Sequence, residues 1–185
     1  MIRSLTQQVV RVALFATLTV AVAEAQSGGG SDFTGPGGGG GGAGGSYAPL
    51  GVPAGAPAGP ISAVGSAALG GVAGLFSNPG TGGISVPNPA GGTVTVSPAT
   101  ARAIAAVFGG GAEAVQALQN ILVGEGVPAG PAGALANALA ALGSSPSRAN
   151  LLGAIEAYNA AVDAGPTSPS SAMLAIRFVI ASASR

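Results

Sequence analysis

The 185-residue chain contains no cysteine, no histidine, no tryptophan and no lysine. Without cysteine it forms no disulfide, so its fold must be held together by packing. Without histidine or cysteine, the common ligand sets for zinc, haem and iron–sulfur clusters are missing, and so are catalytic triads built on Ser-His or Cys-His. The sequence therefore predicts no metal site, no cofactor and no nucleophilic catalysis of these types.

Charge is scarce as well: charged residues make up 6% of the chain, and six arginines balance six acids. Nucleic-acid binding requires a basic surface that displaces counterions from phosphates, and scattered arginines do not provide one. We therefore expect no nucleic-acid partner. Arg102, Arg148 and Arg177 fall in predicted helices, and we interpret each as a solvated surface arginine rather than as an anion site. A net charge near zero favours self-association.

Carboxylates are the side chains that remain for acid–base catalysis. Beyond residue 25 they are Asp32, Glu113, Glu125, Glu156 and Asp163. Two of them would support glycoside hydrolysis only if the fold brought them within about 5–10 Å, and their spacing gives no sign of this. Glu113 lies at a predicted helix start, where an acid stabilises the helix dipole. We expect no enzyme activity and no catalytic residue.

The N-terminus has the pattern of a secretory signal peptide over residues 1–25. Arg3 and Arg11 lie in a polar start, an uncharged apolar run covers residues 12–23, and Ala23-Glu24-Ala25 supplies the small residues that cleavage requires. A retained membrane anchor is the alternative, but a spanning helix needs about 20 apolar residues. We expect cleavage near Ala25, which makes the mature protein secreted, either periplasmic or extracellular.

Residues 26–60 are rich in glycine and proline. Glycine loses much backbone entropy on ordering, proline interrupts helices and sheets, and few apolar side chains are present to compensate. The segment is predicted to be a disordered linker. Phe33 and Tyr47 lie within it, and we interpret them as incidental aromatics rather than as contacts for a partner.

Residues 61–82 form an apolar, small-residue segment without charge. Ser66, Gly70 and Gly74 recur every four residues, a spacing that allows helices to approach closely in a bilayer. Ile61–Phe76 is therefore either a membrane-active or self-associating helix, or a helix that packs on the neighbouring domain. The segment is short for a complete membrane span, which favours packing.

Residues 83–96 are predicted to form a β-hairpin. The stretches Ile84–Val86 and Thr93–Val96 alternate apolar and polar residues with a period of two, around a loop rich in proline and glycine. An isolated hairpin is marginally stable in water, so we expect it to pack on the domain that follows.

Residues 97–185 are predicted to form an α-helical domain. Three Ser-Pro pairs, beginning at Ser97, Ser145 and Ser168, are each typical of a helix start, with serine as the N-cap and proline at the first helical position. Apolar periodicity predicts helices over 98–108, 112–123, 131–142, 146–164 and from 169 onward. Residues 178–180 would also suit a strand, but the Ser-Pro start favours a helix.

The predicted fold class is therefore mainly α: a small bundle of about five short helices, with a short β-hairpin packed on it and an N-terminal half that is largely disordered. These features indicate a non-enzymatic structural or interaction protein outside the cytoplasm. Its helical domain, on a flexible tether, would contact an unknown protein, an envelope component or a second copy of the chain. The alternative function is a membrane-active protein that uses Ile61–Phe76.

Overall fold

The computed structural model describes residues 50–51, 59–167 and 170–184. The predicted signal peptide and most of the predicted linker, with its two aromatic residues, lie outside the described residues. The described part is mainly helical, as predicted, and contains one short antiparallel hairpin. Its elements in chain order are α1 (Ala63–Ser77), β1 (Ile84–Pro87), β2 (Thr93–Val96), α2 (Pro98–Phe108), α3 (Ala112–Gly124), α4 (Ala129–Ser144), α5 (Arg148–Ala164) and α6 (Ser171–Ala183).

The start of α2 confirms the predicted Ser-Pro cap. The Ser97 hydroxyl accepts a hydrogen bond from the backbone N–H of Thr100 at 3.1 Å, and Pro98 is the first residue of the helix. The proline has no N–H to satisfy at a position where a helix has no internal acceptor for one.

The other two predicted caps, Ser145 and Ser168, are wrong. α5 is capped by Ser147 and α6 by Ser170, each the serine that follows the proline. Ser145 is already the C-cap residue of α4, because its backbone N–H donates to the carbonyl of Ala141. Between α4 and α5 the chain must leave one helix before it enters the next, so this cap moves two residues along.

One continuous core lies beneath the helices and the hairpin. The last helix, α6, is at its centre: it contacts α1, α5 and both strands, and nine of its 13 residues are buried. Residues 178–180 belong to this helix, so the strand alternative for them is wrong. The buried core runs without a break from Ile61 to Ala183, across the boundary predicted between residues 96 and 97.

Helix α1 packs against α2 and α6, as the packing interpretation predicted. Leu69, Val72 and Phe76 are buried on its inner face. Near its start, a Cβ added to Gly65 would lie 2.5 Å from the carbonyl oxygen of Ala183 in α6, so the two helix backbones approach closely here. Among the described residues, no helix is both long and apolar enough to cross a membrane.

The hairpin forms in the predicted place, with Ile84 opposite Val96 and Val86 opposite Val94. Its loop is a tight turn in which the N–H of Gly91 donates to the carbonyl of Asn88, and the N–H of Asn88 donates to the carbonyl of Gly92. Gly91 has φ +108°, a value that other residues rarely adopt, so glycine is required at the end of this turn. The hairpin packs on α6.

Candidate functional site

The carboxylates that the sequence offered for catalysis lie on separate parts of the helices. Glu113 is exposed in the first turn of α3, where its charge favours the helix dipole as predicted. Glu156 and Asp163 are exposed on α5, about 10 Å apart along the helix axis. Asp32 lies outside the described residues. Within the described ranges, no group of three or more His, Cys, Asp or Glu side chains could hold a metal ion.

Glu125 has a different position and a clear structural role. It follows the last residue of α3, and its half-buried carboxylate faces the N-terminus of α6. One oxygen accepts a hydrogen bond from the Ser171 hydroxyl at 3.2 Å, and the other accepts from the backbone N–H of Ala172 at 3.1 Å. A carboxylate satisfies free N–H groups in a first turn and interacts favourably with the helix dipole, so Glu125 joins α3 to α6.

The arginines are dispersed. Arg102 is exposed on α2, while Arg148 and Arg177 are half-buried on α5 and α6. The backbone N–H of Arg148 donates to the carbonyl of Gly59 at 3.0 Å, which ties the chain before α1 to the start of α5. The three arginines lie on three different helices.

A second attachment of the N-terminal chain lies at the other end of α5. The Asn159 side chain accepts a hydrogen bond from the N–H of Leu50 at 2.9 Å and donates one to the Leu50 carbonyl at 3.2 Å. The side-chain amide of Asn159 thus binds both the N–H and the C=O group of Leu50. This contact has no local sequence signature, because its partners are 109 residues apart.

The most distinctive surface belongs to residues 59–101, which contain no Asp, Glu, Lys, Arg or His. We call this the uncharged segment; it contains α1, the hairpin and the first four residues of α2. The predicted Ser66, Gly70 and Gly74 line is exposed, with open space next to both glycines. It therefore makes no close helix contact within the described chain. Val64 on the same helix is 67% exposed.

The exposed side of the hairpin is likewise uncharged and made of small side chains. Ser85, Thr93 and Thr95 are exposed, while Ile84, Val86 and Val96 point into the core. The surface of the uncharged segment is thus built from hydroxyls, small side chains and backbone amides, which can be desolvated without burying an ionised group. Such a surface can bind another macromolecule by close contact.

The chain matches no protein-family model, no curated protein sequence and no solved structure.

Proposed function

We propose that this protein is an exported, non-enzymatic interaction protein in which a compact helical unit, on a glycine- and proline-rich tether, binds an envelope component or a second copy of itself. The observation that carries the proposal is the uncharged segment. It exposes hydroxyl, methyl and backbone groups on α1 and on the hairpin, and both elements are fixed to the central helix α6.

Binding through such a surface has a lower desolvation cost than binding through ionised groups. A buried ionised side chain needs a partner of opposite charge, whereas a hydroxyl needs only a hydrogen-bond partner and a methyl group needs none. Protein interfaces are depleted of charge at their centres for this reason. Nothing on the uncharged segment opposes close contact with a neutral surface or with the same surface of a second molecule.

A membrane-active role for Ile61–Phe76 is the alternative proposal. In the folded chain, however, the apolar side chains of this segment are committed to the core: Leu69, Val72 and Phe76 are all buried. Each is worth about 1.5–3 kcal/mol when fully buried, so insertion into lipid would first have to offset their removal from the core. The exposed face of α1 offers Val64 as its one large apolar side chain.

The interaction function is tested by placing a charge on the surface. We expect the purified mature chain to sediment with the envelope fraction of the producing cell, or to increase in mean mass with concentration in analytical ultracentrifugation. A67K/T95K places lysines on the exposed sides of α1 and of the hairpin, and Q116K/N120K places two on the exposed face of α3. We expect A67K/T95K to weaken the association and Q116K/N120K to leave it unchanged.

Two outcomes would contradict this proposal. A mature chain that stays monomeric and sediments with no envelope fraction would exclude the interaction function. Flotation of the mature chain with neutral lipid vesicles, accompanied by loss of its folded-state circular dichroism signal, would instead support the membrane-active alternative. N-terminal sequencing of the exported form tests the predicted cleavage near Ala25 in the same preparation.

A further inference from the structure

The hairpin has two outer edges, and the two differ. In the antiparallel register, hydrogen-bonded and non-hydrogen-bonded pairs alternate along the strands. The bond from the Asn88 N–H to the Gly92 carbonyl fixes this alternation, so the pairs Val86/Val94 and Ile84/Val96 are the hydrogen-bonded ones. The backbone N–H and C=O groups of Thr93 and Thr95 therefore point away from β1, toward the outer edge of β2.

The outer edge of β2 is open and unguarded. Within residues 59–167, no backbone–backbone hydrogen bond outside the hairpin involves Thr93 or Thr95. Both side chains are exposed. Proteins ordinarily protect a strand edge with a lysine, a proline or an inward charge. β1 has such protection, because Pro87 lies at an outward-facing position of its edge and has no N–H to donate. β2 has none.

We propose that two copies of the chain pair antiparallel through their β2 edges, forming a four-stranded sheet about a two-fold axis at Val94. The sequence of β2 is self-complementary in this register. Thr93 of one copy faces Thr95 of the other, and each such pair exchanges two hydrogen bonds, so four bonds form in all. Because the same edge serves both copies, the interface closes on itself as a dimer and does not propagate.

The side chains on both faces of the sheet suit this pairing. The threonines pair across the two β2 strands on the outer face, a favourable cross-strand combination. On the inner face the two half-buried Val94 side chains meet at the axis, next to the buried Val96 of each copy, and extend the apolar face from one core toward the other. A two-stranded hairpin is marginal alone, whereas three or more strands with an apolar face are stable.

The self-complementary register selects the second copy as the occupant of the edge, and the absence of charge permits it. The uncharged segment brings no ionised side chain to the axis, so no like charges are placed opposite each other when the same surface meets itself. This inference rests on the proposed interaction function and names its partner and its surface. The experiments below separate failure of the edge pairing from failure of that function.

Cysteine cross-linking tests the pairing directly, because the chain contains no cysteine. In the proposed dimer the two Val94 Cα atoms form a non-hydrogen-bonded pair about 4.5 Å apart, a separation that a disulfide spans. We expect the full chain with V94C to form a covalent dimer on mild oxidation. S85C on the β1 edge is the control; it is more exposed but should remain monomeric. Equal cross-linking of the two variants would overturn the proposal.

Charge variants provide a second measurement that does not depend on the valine. T93K/T95K places lysines opposite lysines across the axis, and we expect at least tenfold weaker self-association. Q116K/N120K adds the same charge at exposed positions of α3 and should have no effect. An equimolar mixture of T93K/T95K with T93D/T95D should restore dimers, since Lys–Asp pairs then replace like charges.

The remaining outcomes are also decisive. If the unmodified chain self-associates but V94C does not cross-link and T93K/T95K has no effect, the edge pairing is wrong while the interaction function stands. If the chain is monomeric and T93K/T95K abolishes its binding to the envelope fraction, the edge receives a strand of a different protein, which overturns the dimer. If the chain neither self-associates nor binds the envelope, both proposals fail.

Discussion

Gly65 and Gly70 lie on the same helix, α1, in opposite environments. A Cβ at Gly65 would be 2.5 Å from the Ala183 carbonyl, a backbone atom that cannot move alone, whereas a Cβ at Gly70 would meet nothing within 4 Å. G65A should therefore destabilise the protein by about 1–3 kcal/mol, as overpacking does. G70A should stabilise it by about 0.5–1 kcal/mol by lowering the backbone entropy of the unfolded chain.

Urea denaturation of both variants checks this pair. Because glycine is replaced by alanine in the same helix in each case, the difference between the variants chiefly reports the contact with α6. Equal stability changes for G65A and G70A would show that α1 does not approach α6 as closely as the structure indicates.

The carboxylate of Glu125 is the one acidic group that connects two helices in the described part of the chain. Its two hydrogen bonds to Ser171 and Ala172 join the end of α3 to the start of the central helix. Hydrogen bonds to charged groups contribute about 1.5–3 kcal/mol, and partial exposure lowers that value. We expect E125A to reduce the free energy of unfolding by about 1–2 kcal/mol, and E125Q, which keeps one acceptor oxygen, by about half as much.

E156A is the matched control for Glu125, since Glu156 is exposed on α5 and surface substitutions ordinarily change stability by less than about 0.5 kcal/mol. Thermal unfolding followed by circular dichroism measures all three variants. If E125A and E156A proved equally mild, the link between α3 and α6 would contribute nothing to stability.

At the scale of the elements, the helix starts give the sharpest test of local structure. Ser147 and Ser170 each accept a hydrogen bond from a first-turn N–H at 3.2 Å, and replacing an N-cap serine by alanine costs about 1 kcal/mol. S147A and S170A should each lower stability by that amount. S145A, two residues before the true cap of α5, should lie within about 0.5 kcal/mol of the parent, as chemical denaturation would show.

Elements defined by local chemistry were predictable from the sequence. The bounds of α2 match the prediction, both strands lie where the alternation placed them, and Leu135, Leu139 and Leu142 are buried as the helical period of α4 required. The misplaced caps of α5 and α6 show the limit of this approach. A serine on either side of a proline has the same local signal, and at α5 the choice depends on where the preceding helix ends.

Contacts between distant parts of the chain were not predictable. Glu125 meets residues 46 and 47 positions away, and Asn159 binds Leu50 from 109 positions away. A glutamate after a helix and an asparagine within one have no distinguishing pattern of their own, since their partners are set by how the helices pack. The open edge of β2 was likewise hidden, because it depends on the register of the hairpin rather than on its composition.

In the molecule as a whole, the charged residues lie in one part of the described chain, whereas the buried core includes residues of both parts. All seven charged residues in the described ranges lie at or beyond Arg102, while the uncharged segment precedes it. The buried side chains of both parts nevertheless form one cluster. The surface that we propose for binding is therefore held rigidly by the charged helical part, and the two should unfold together.

F76A tests this single core. Phe76 of α1 is fully buried, and truncation of a buried phenylalanine costs about 3–5 kcal/mol. The chain has no tryptophan and two tyrosines, so in a Y47F background the fluorescence of the buried Tyr158 in α5 reports unfolding of the helical part alone. We expect F76A to lower the urea midpoint of the Tyr158 fluorescence and that of the circular dichroism signal equally. V64A, on the exposed face of α1, is the control, and it should change the free energy of unfolding by less than about 0.5 kcal/mol. A Tyr158 transition unmoved by F76A would show that α1 is a separate unit, and the uncharged segment would then lack the rigid support on which binding through it depends.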